Sequence, residues 1–144
     1  MIEGVFIQEL KQIPDGKGKV MHMMRRDSPL FTAFGEVYFS VVNPGAVKAW
    51  KKHLRMTQHF AVPQGKIRLV VFDDRQGSST LGKVEVIETG EDAYSLIKIP
   101  PLVWYGFKGI SETPALIANC TDIPHSAEEI ERMSPSDKVI PYSW

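Results

Sequence analysis

The stretch "GAVKAWKKHLRMTQHFAVPQG", Gly45 to Gly65, sets Lys48, Lys51, Lys52, His53, Arg55, Gln58 and His59 between two glycines. In an extended strand, successive side chains alternate between faces. On that rule Val47, Ala49, Lys51 and His53 share one face of "AVKAWKKH", while Lys48, Trp50 and Lys52 share the other. A lysine and a histidine that follow valine and alanine toward an interior are costly to bury unless the interior is a wet, functional pocket. The second half, "HFAVPQG", is expected to form a partner strand, with His59 turned the other way, onto the surface.

The next segment, "KIRLVVFDD", places Ile67, Leu69 and Val71 on one face and Lys66, Arg68, Val70 and Phe72 on the other. That predicts a strand buried on one side and partly on its second. Short runs rich in β-branched and aromatic residues recur along the chain: "GVFIQEL", "KVMHMMR", "EVYFSVV", "KVEVIETG", "YSLIKIP", "VWYGFKG" and "ALIANCT". Glycine and proline punctuate the junctions, as in "IPDGKGK", "VNPGA", "VPQGK", "DDRQGSS" and "SETPA". The pattern predicts an all-β sandwich or barrel of antiparallel strands. The helical signal is late: Ser126 is placed to cap "SAEEIERM", with Glu129 at the capping-box spacing, so one short helix or helical turn is expected outside the sheets. The methionines around His22 read as core, and Asp73, Asp74 and Arg75 read as a turn with its salt bridge.

With 144 residues and no repeat, low-complexity tract or long linker, the chain is expected to form one domain over residues 1–144. An apolar fraction of 43% and a charged fraction of 24% are those of an ordinary globular protein, and 17 acidic side chains balance 17 basic ones. That balance argues against a nucleic-acid partner. Cys120 is the one cysteine, so neither an internal disulfide nor a multi-thiolate zinc site is available, which fits a cytoplasmic protein. No apolar run reaches the roughly 20 residues of a membrane span. The start "MIEGVFIQEL" lacks the basic segment and long apolar core of a signal peptide, so a soluble, unexported protein with no membrane partner is expected.

The frame Gly45, Lys51, His53, Gln58, Gly65 resembles the first signature of the cupin superfamily, in which a glycine is followed by two histidines, a glutamate and a glycine at this spacing. "PPLVWYG" resembles the second signature, with Tyr105 at its histidine position. Of the metal-ligand positions only His53 keeps a residue suited to a transition metal. With Lys51 beside it and the Gln58 amide opposite, neither a metal nor another cofactor is expected.

Within the cupins, the chain resembles the dTDP-4-dehydrorhamnose 3,5-epimerase (RmlC-like) family over nearly its whole length. "FGEVYFS" is similar to the family's "FGQVNFS"-like run, "VKAWKK" to its "VLRGLH", "VVFDDRQGSSTLG" to its "DVAVDLRxxSPTFG", and "IPPLVWYGF" to its "IPPGFAHGF". "NCTD" and the ending "IPYSW" are similar to its "CTD" and terminal "I-x-W". The resemblance implies an RmlC-like jelly-roll barrel and metal-free proton exchange beside the ketone of a nucleotide-linked 4-keto-6-deoxy sugar, in polysaccharide precursor synthesis. It also implies a homodimer that lends N-terminal residues across its interface. The chemistry requires a base for the C–H proton, an electrostatic partner for the enolate oxygen, and an acid on the opposite face. In the family these are a histidine paired with an aspartate, a lysine, and a tyrosine. Position by position, the histidine falls on Lys51, the lysine near Gln58, the tyrosine on Ile123 or Pro124, and the aspartate near Met133 or Ser134.

Substitutes stand close by. Lys51 serves as a base only if its pKa moves from about 10.4 toward 7, at a cost of roughly 4 to 5 kcal/mol. His53 titrates near neutrality unaided and is the better candidate base. Tyr105 is the candidate acid, and His125, after "TDIP", is expected near the place of the missing tyrosine. The candidate catalytic set is therefore Lys51, His53, Gln58, Tyr105 and His125. For a nucleotide-diphosphate sugar the resemblance points to Arg25, Arg26, Lys48 and Trp104. Lys48 lies opposite Lys51 by simple alternation and joins the pocket only through a bulge or a neighbouring subunit. Three functions stay open: an epimerase or isomerase with an altered catalytic set, a sugar or nucleotide-sugar binding cupin without catalysis, and a metal-dependent cupin enzyme, which the single His53 argues against.

Overall fold

The computed structural model describes all 144 residues. Its strands are β1 (Phe6–Glu9), β2 (Gln12–Asp15), β3 (Gly18–Met21), β4 (Glu36–Val42), β5 (Val47–His53), β6 (Gln58–Gln64), β7 (Lys66–Asp73), β8 (Val84–Gly90), β9 (Ser95–Ile99), β10 (Val103–Gly109), β11 (Ala115–Thr121) and β12 (Ile130–Arg132). One five-stranded sheet runs in the order β1-β9-β6-β11-β4, a second runs β12-β5-β10-β7-β8, and β2 with β3 forms a separate hairpin. Every strand pair is antiparallel. The two sheets face each other as an RmlC-like jelly-roll cupin barrel. No helix is long and apolar enough to cross a membrane.

The alternation in β7 explains why both faces of the second sheet are buried. Ile67, Leu69 and Val71 enter the cluster between the sheets, where they meet Phe60 and Val62 of the first sheet. Val70 and Phe72 point outward into a second cluster with Trp50, Trp104 and Ile140. Met133, Tyr142 and Trp144 of the C-terminal tail cover that cluster. Burying a large apolar side chain contributes about 1.5–3 kcal/mol, so this packing adds to the strand pairing of 130–133 with β5 in fastening the tail to the barrel. Between β6 and β7 the chain turns at Gly65, whose φ is +75° and whose missing Cβ would lie 2.7 Å from the Ala115 Cα; only glycine fits there.

Each apolar run noted in the sequence contains a strand, but the structure departs from expectation at four places. Strand β3 ends at Met21, so His22 lies beyond it, its backbone N–H donating to the Lys11 carbonyl. Strand β2 forms from "QIPD", a segment that reads as punctuation, because pairing with β3 supplies its hydrogen bonds. His59 is turned away from the interior but is buried, not on the surface; its ring nitrogens meet the Cys120 carbonyl at 3.0 Å and the Leu30 carbonyl at 2.9 Å, clamping the 28–31 loop onto the first sheet. The late helical signal reduces to one 3-10 turn, Ala127–Glu129, followed at once by β12, and Ser126 makes no side-chain cap.

The Asp73–Arg75 turn is the expected salt bridge, with Arg75 Nε 2.8 Å from Asp73 Oδ1. Burial alone would push the Asp73 carboxyl up, but donation from Arg75, Ser78 and Thr80 outweighs burial and holds it far below the usual carboxylate range. Arg75 also donates to the Glu3 carbonyl at 2.6 Å, which ties the N-terminal segment to the barrel.

Candidate active site

In β5 the alternation breaks. Lys51 pairs with Tyr105 and Lys48 with Phe107, so Ala49 and Trp50 together stand opposite the single residue Gly106. This bulge makes a three-residue step return to the same face. A Cβ on Gly106 would come within 2.5 Å of the Ala49 Cβ, so the bulge depends on that glycine. The consequence corrects the simple reading of the strand. Ala49 packs with Trp50 against the outer cluster, and Val47 lines a cleft formed by the C-terminal tail. Lys48, Lys51 and His53 all face the interior.

They face a cavity with two lobes of about 80 and 220 Å³ that share Tyr38, Lys51 and Tyr105. The smaller lobe is finished by Ser40, Lys48, Phe60, Phe107, Ile117 and Asn119, and the larger by Glu36, His53, His125 and Ile130. Strand β4 belongs to the first sheet, and β5 and β10 to the second. The cavity is thus walled by both sheets and has an acid–base group on each.

His53 is buried with Glu129, whose Oε1 accepts from its Nδ1. The other carboxylate oxygen accepts from the backbone N–H groups of Arg55 and Met56, each at 3.1 Å. Burial pushes the Glu129 carboxyl up, yet His53 and the two backbone donors outweigh it, and the net direction is down. The His53 imidazole is lowered from its ordinary value of 6.5, because burial outweighs the attraction of Glu129. A neutral ring that donates from Nδ1 leaves its lone pair on Nε2, which lies 3.3 Å from the Tyr105 hydroxyl.

Glu129 is the functional residue that sequence reasoning missed. Its spacing from Ser126 reads as a capping box, but the carboxylate turns inward because the pairing of β12 with β5 sets Ile130 against His53. The family's aspartate position falls near Met133 or Ser134, which carry no carboxylate, and the carboxylate that the structure sets against His53 is Glu129. No local signal separates it from its neighbour Glu128, which is exposed, because the burial of Glu129 is set by tertiary partners.

Lys51 is half-buried, and its ammonium is lowered from 10.5 first by burial and then by the charges of Arg132 and Lys48. Lys48 donates to the Ser40 hydroxyl at 3.1 Å. Gln58 is buried behind the cavity, its Oε1 accepting from Asn119 Nδ2 at 3.0 Å. Tyr105 lines the cavity, and burial pushes its phenol well up, which keeps it neutral. His125 sits at the exposed mouth, its backbone N–H donating to the Glu36 carboxylate at 2.9 Å.

Three candidates lie elsewhere on this chain. Trp104 is on the outer face of the second sheet, since it alternates with Tyr105, and its indole N–H donates to Asp74 at 2.8 Å with Lys52 over its ring. Arg25 is paired with Asp27 on the surface, and Arg26 lies in the same shallow hollow, apart from the cavity. No three His, Cys, Asp or Glu side chains converge as metal ligands would.

An imidazole–carboxylate pair, a cavity-facing ammonium and two phenols inside an RmlC-like cupin barrel form an acid–base site of the kind that moves protons on a small polar substrate. The chain belongs to the dTDP-4-dehydrorhamnose 3,5-epimerase family, whose model matches residues 1–144. It is 33% identical, over 98% of its length and 88% of the relative's, to the protein named "Probable low-salt glycan biosynthesis epimerase Agl13" of Haloferax volcanii. It is 30% identical to the spore coat polysaccharide biosynthesis protein SpsL of Bacillus subtilis, over 100% of this chain and 97% of that one. The crystal structure of a dTDP sugar isomerase from Desulfovibrio desulfuricans G20 superposes with a TM-score of 0.97 at 53% identity, covering 99% of this chain and 92% of that chain.

Removing Glu129 strips an acceptor from two buried donors, the His53 ring and the Met56 N–H, and from the part-buried Arg55 N–H, and each orphaned buried donor costs about 1–3 kcal/mol. Glu129→Ala is therefore expected to lose about 3 kcal/mol or more of unfolding free energy at pH 7, measured by urea denaturation. Since the carboxyl ionises more readily folded than unfolded, its contribution is complete above the ordinary value of 4.5 and fades as the pH falls through the lower folded value. The gap between variant and wild type should narrow over that acid window.

Proposed function

We propose that the protein is an epimerase of nucleotide-linked 4-keto-6-deoxy sugars, acting in the cytoplasm in glycan or polysaccharide precursor synthesis, with His53 as its base. The observation that carries this reading is the His53–Glu129 pair opening onto a cavity that also holds Lys51. Glu129 fixes the Nδ1–H tautomer, orients the ring, and favours the imidazolium that forms on proton transfer. His53 Nε2 takes the proton beside the ketone, the C–H pair becomes the enolate double bond, and the Lys51 ammonium faces the oxygen where charge develops. Lys51 serves better as this cation than as a base, since the carboxylate partner belongs to His53. Tyr105, at 3.3 Å from Nε2, positions the imidazole, with Gln58 and Asn119 behind it. Lys48 is placed for an anionic diphosphate beyond the sugar, and His125 for the mouth of the cavity.

The substrate-binding part of the proposal draws on a second copy of the chain. Val37, Phe39 and Val41 alternate along β4, an edge strand, and stay 46%, 64% and 53% exposed. An apolar row of this kind suits a symmetric interface between two copies. Such a homodimer would explain why Arg25 and Arg26 lie outside their own chain's cavity, since they would serve the partner's nucleotide.

Two measurements test these readings. Wild-type protein incubated in D2O with dTDP-4-keto-6-deoxyglucose is expected to exchange a proton beside the ketone, read by NMR, and His53→Asn to do so about 100- to 10,000-fold more slowly. Tight binding of that compound without exchange would instead support a binding cupin. Light scattering on a sizing column should give the mass of two chains, and Phe39→Asp that of one.

A further inference from the structure

Epimerisation needs a donor on the face opposite the base, and Tyr105 cannot supply it: the phenol lies beside His53 on the same sheet, with the two rings stacked at 6.0 Å between centroids. The family position for that donor is Ile123 or Pro124, which carry no acid. The other sheet presents one phenol to the same cavity, Tyr38 of β4, which lines both lobes. Resting on the proposed epimerase reading, we infer that Tyr38 is the acid that returns the proton to the face opposite His53.

The surroundings of Tyr38 suit the task. Its oxygen accepts from Asn119 Nδ2 at 2.9 Å, so its own proton is left for another acceptor. Burial pushes the phenol up from 10.0, with the Glu36 and Glu129 carboxylates adding to the rise, while the bond from Asn119 acts the other way. The group therefore stays protonated at neutral pH and is a donor rather than a base. Asn119 is itself held by Gln58, which accepts at 3.0 Å, and by the His59 backbone N–H, which donates to its Oδ1 at 3.2 Å. This gives the buried polar residues Gln58 and Asn119 a function: they aim Tyr38.

His53 Nε2 holds the proton removed from carbon, and the enolate pair forms a new C–H bond to the Tyr38 proton on the other face. The O–H pair stays on the phenolate, which regains a proton from water through the open mouth while the imidazolium gives one up to water. The net change is inversion of one carbon with one solvent proton incorporated.

The test separates removal of a proton from its return. With dTDP-4-keto-6-deoxyglucose in D2O, wild type should both exchange and invert. Tyr38→Phe, which deletes one oxygen and leaves Asn119 bonded to Gln58, should lower inversion about 100-fold or more while deuterium still enters with retained configuration. Tyr105→Phe should lower exchange and inversion together, because it acts through His53. Inversion by Tyr38→Phe at the wild-type rate, or equal loss of exchange and inversion in that variant, overturns the assignment alone. Absence of exchange in the wild type overturns the epimerase reading and this assignment with it.

Discussion

The carboxylate of Glu129 is the point on which the site depends. It lies on a segment that sequence propensity would make a helix, and it is drawn under the barrel by four donors or partners: the His53 ring, the Arg55 and Met56 backbone, and the pairing of β12 with β5. A buried carboxylate without such donors would cost several kcal/mol. With them it stays ionised, sets the tautomer of His53, and joins the tail to the strand that lines the cavity. The same contact thus supports the fold and equips the base.

The second constraint is the bulge at Ala49–Trp50. A regular β5 would put Lys48 and Trp50 on one face and Lys51 and His53 on the other, so that Lys48 could face the cavity only with Trp50 inside and Lys51 outside. Two residues opposite Gly106 allow three polar residues, Lys48, Lys51 and His53, to face the cavity while Trp50 remains in the outer apolar cluster. Relative to the family pattern, the imidazole has moved two residues along the same face of one strand, and its carboxylate partner has moved with it. On the proposed function, a histidine–carboxylate pair is present at a shifted position in the cavity.

The glycine spacing from Gly45 to Gly65, the period-two alternation of β7 and the order of family-like segments were enough to name the barrel, because these signals are local and repeated. The site was less legible for three physical reasons. The bulge cannot be read from residues 47–53 alone, since it is fixed by Gly106 more than fifty positions away. The role of Glu129 depends on tertiary donors that override its capping-box spacing. Tyr38 alternates correctly in "EVYFSVV", but its place in the cavity depends on how β4 faces β5 across two sheets. His59 and Trp104 show the converse: one is buried by a loop that comes from 28–31, and the other is directed outward by the alternation that directs Tyr105 inward.

The proposed chemistry requires a neutral His53 with its lone pair on Nε2. Nitrogen-15 NMR of the imidazole reads both points at once. The expected result is a neutral ring at pH 7, protonated on Nδ1, with a titration midpoint below the ordinary value of 6.5. A ring that is an imidazolium at pH 7, or one that carries its single proton on Nε2, would contradict it.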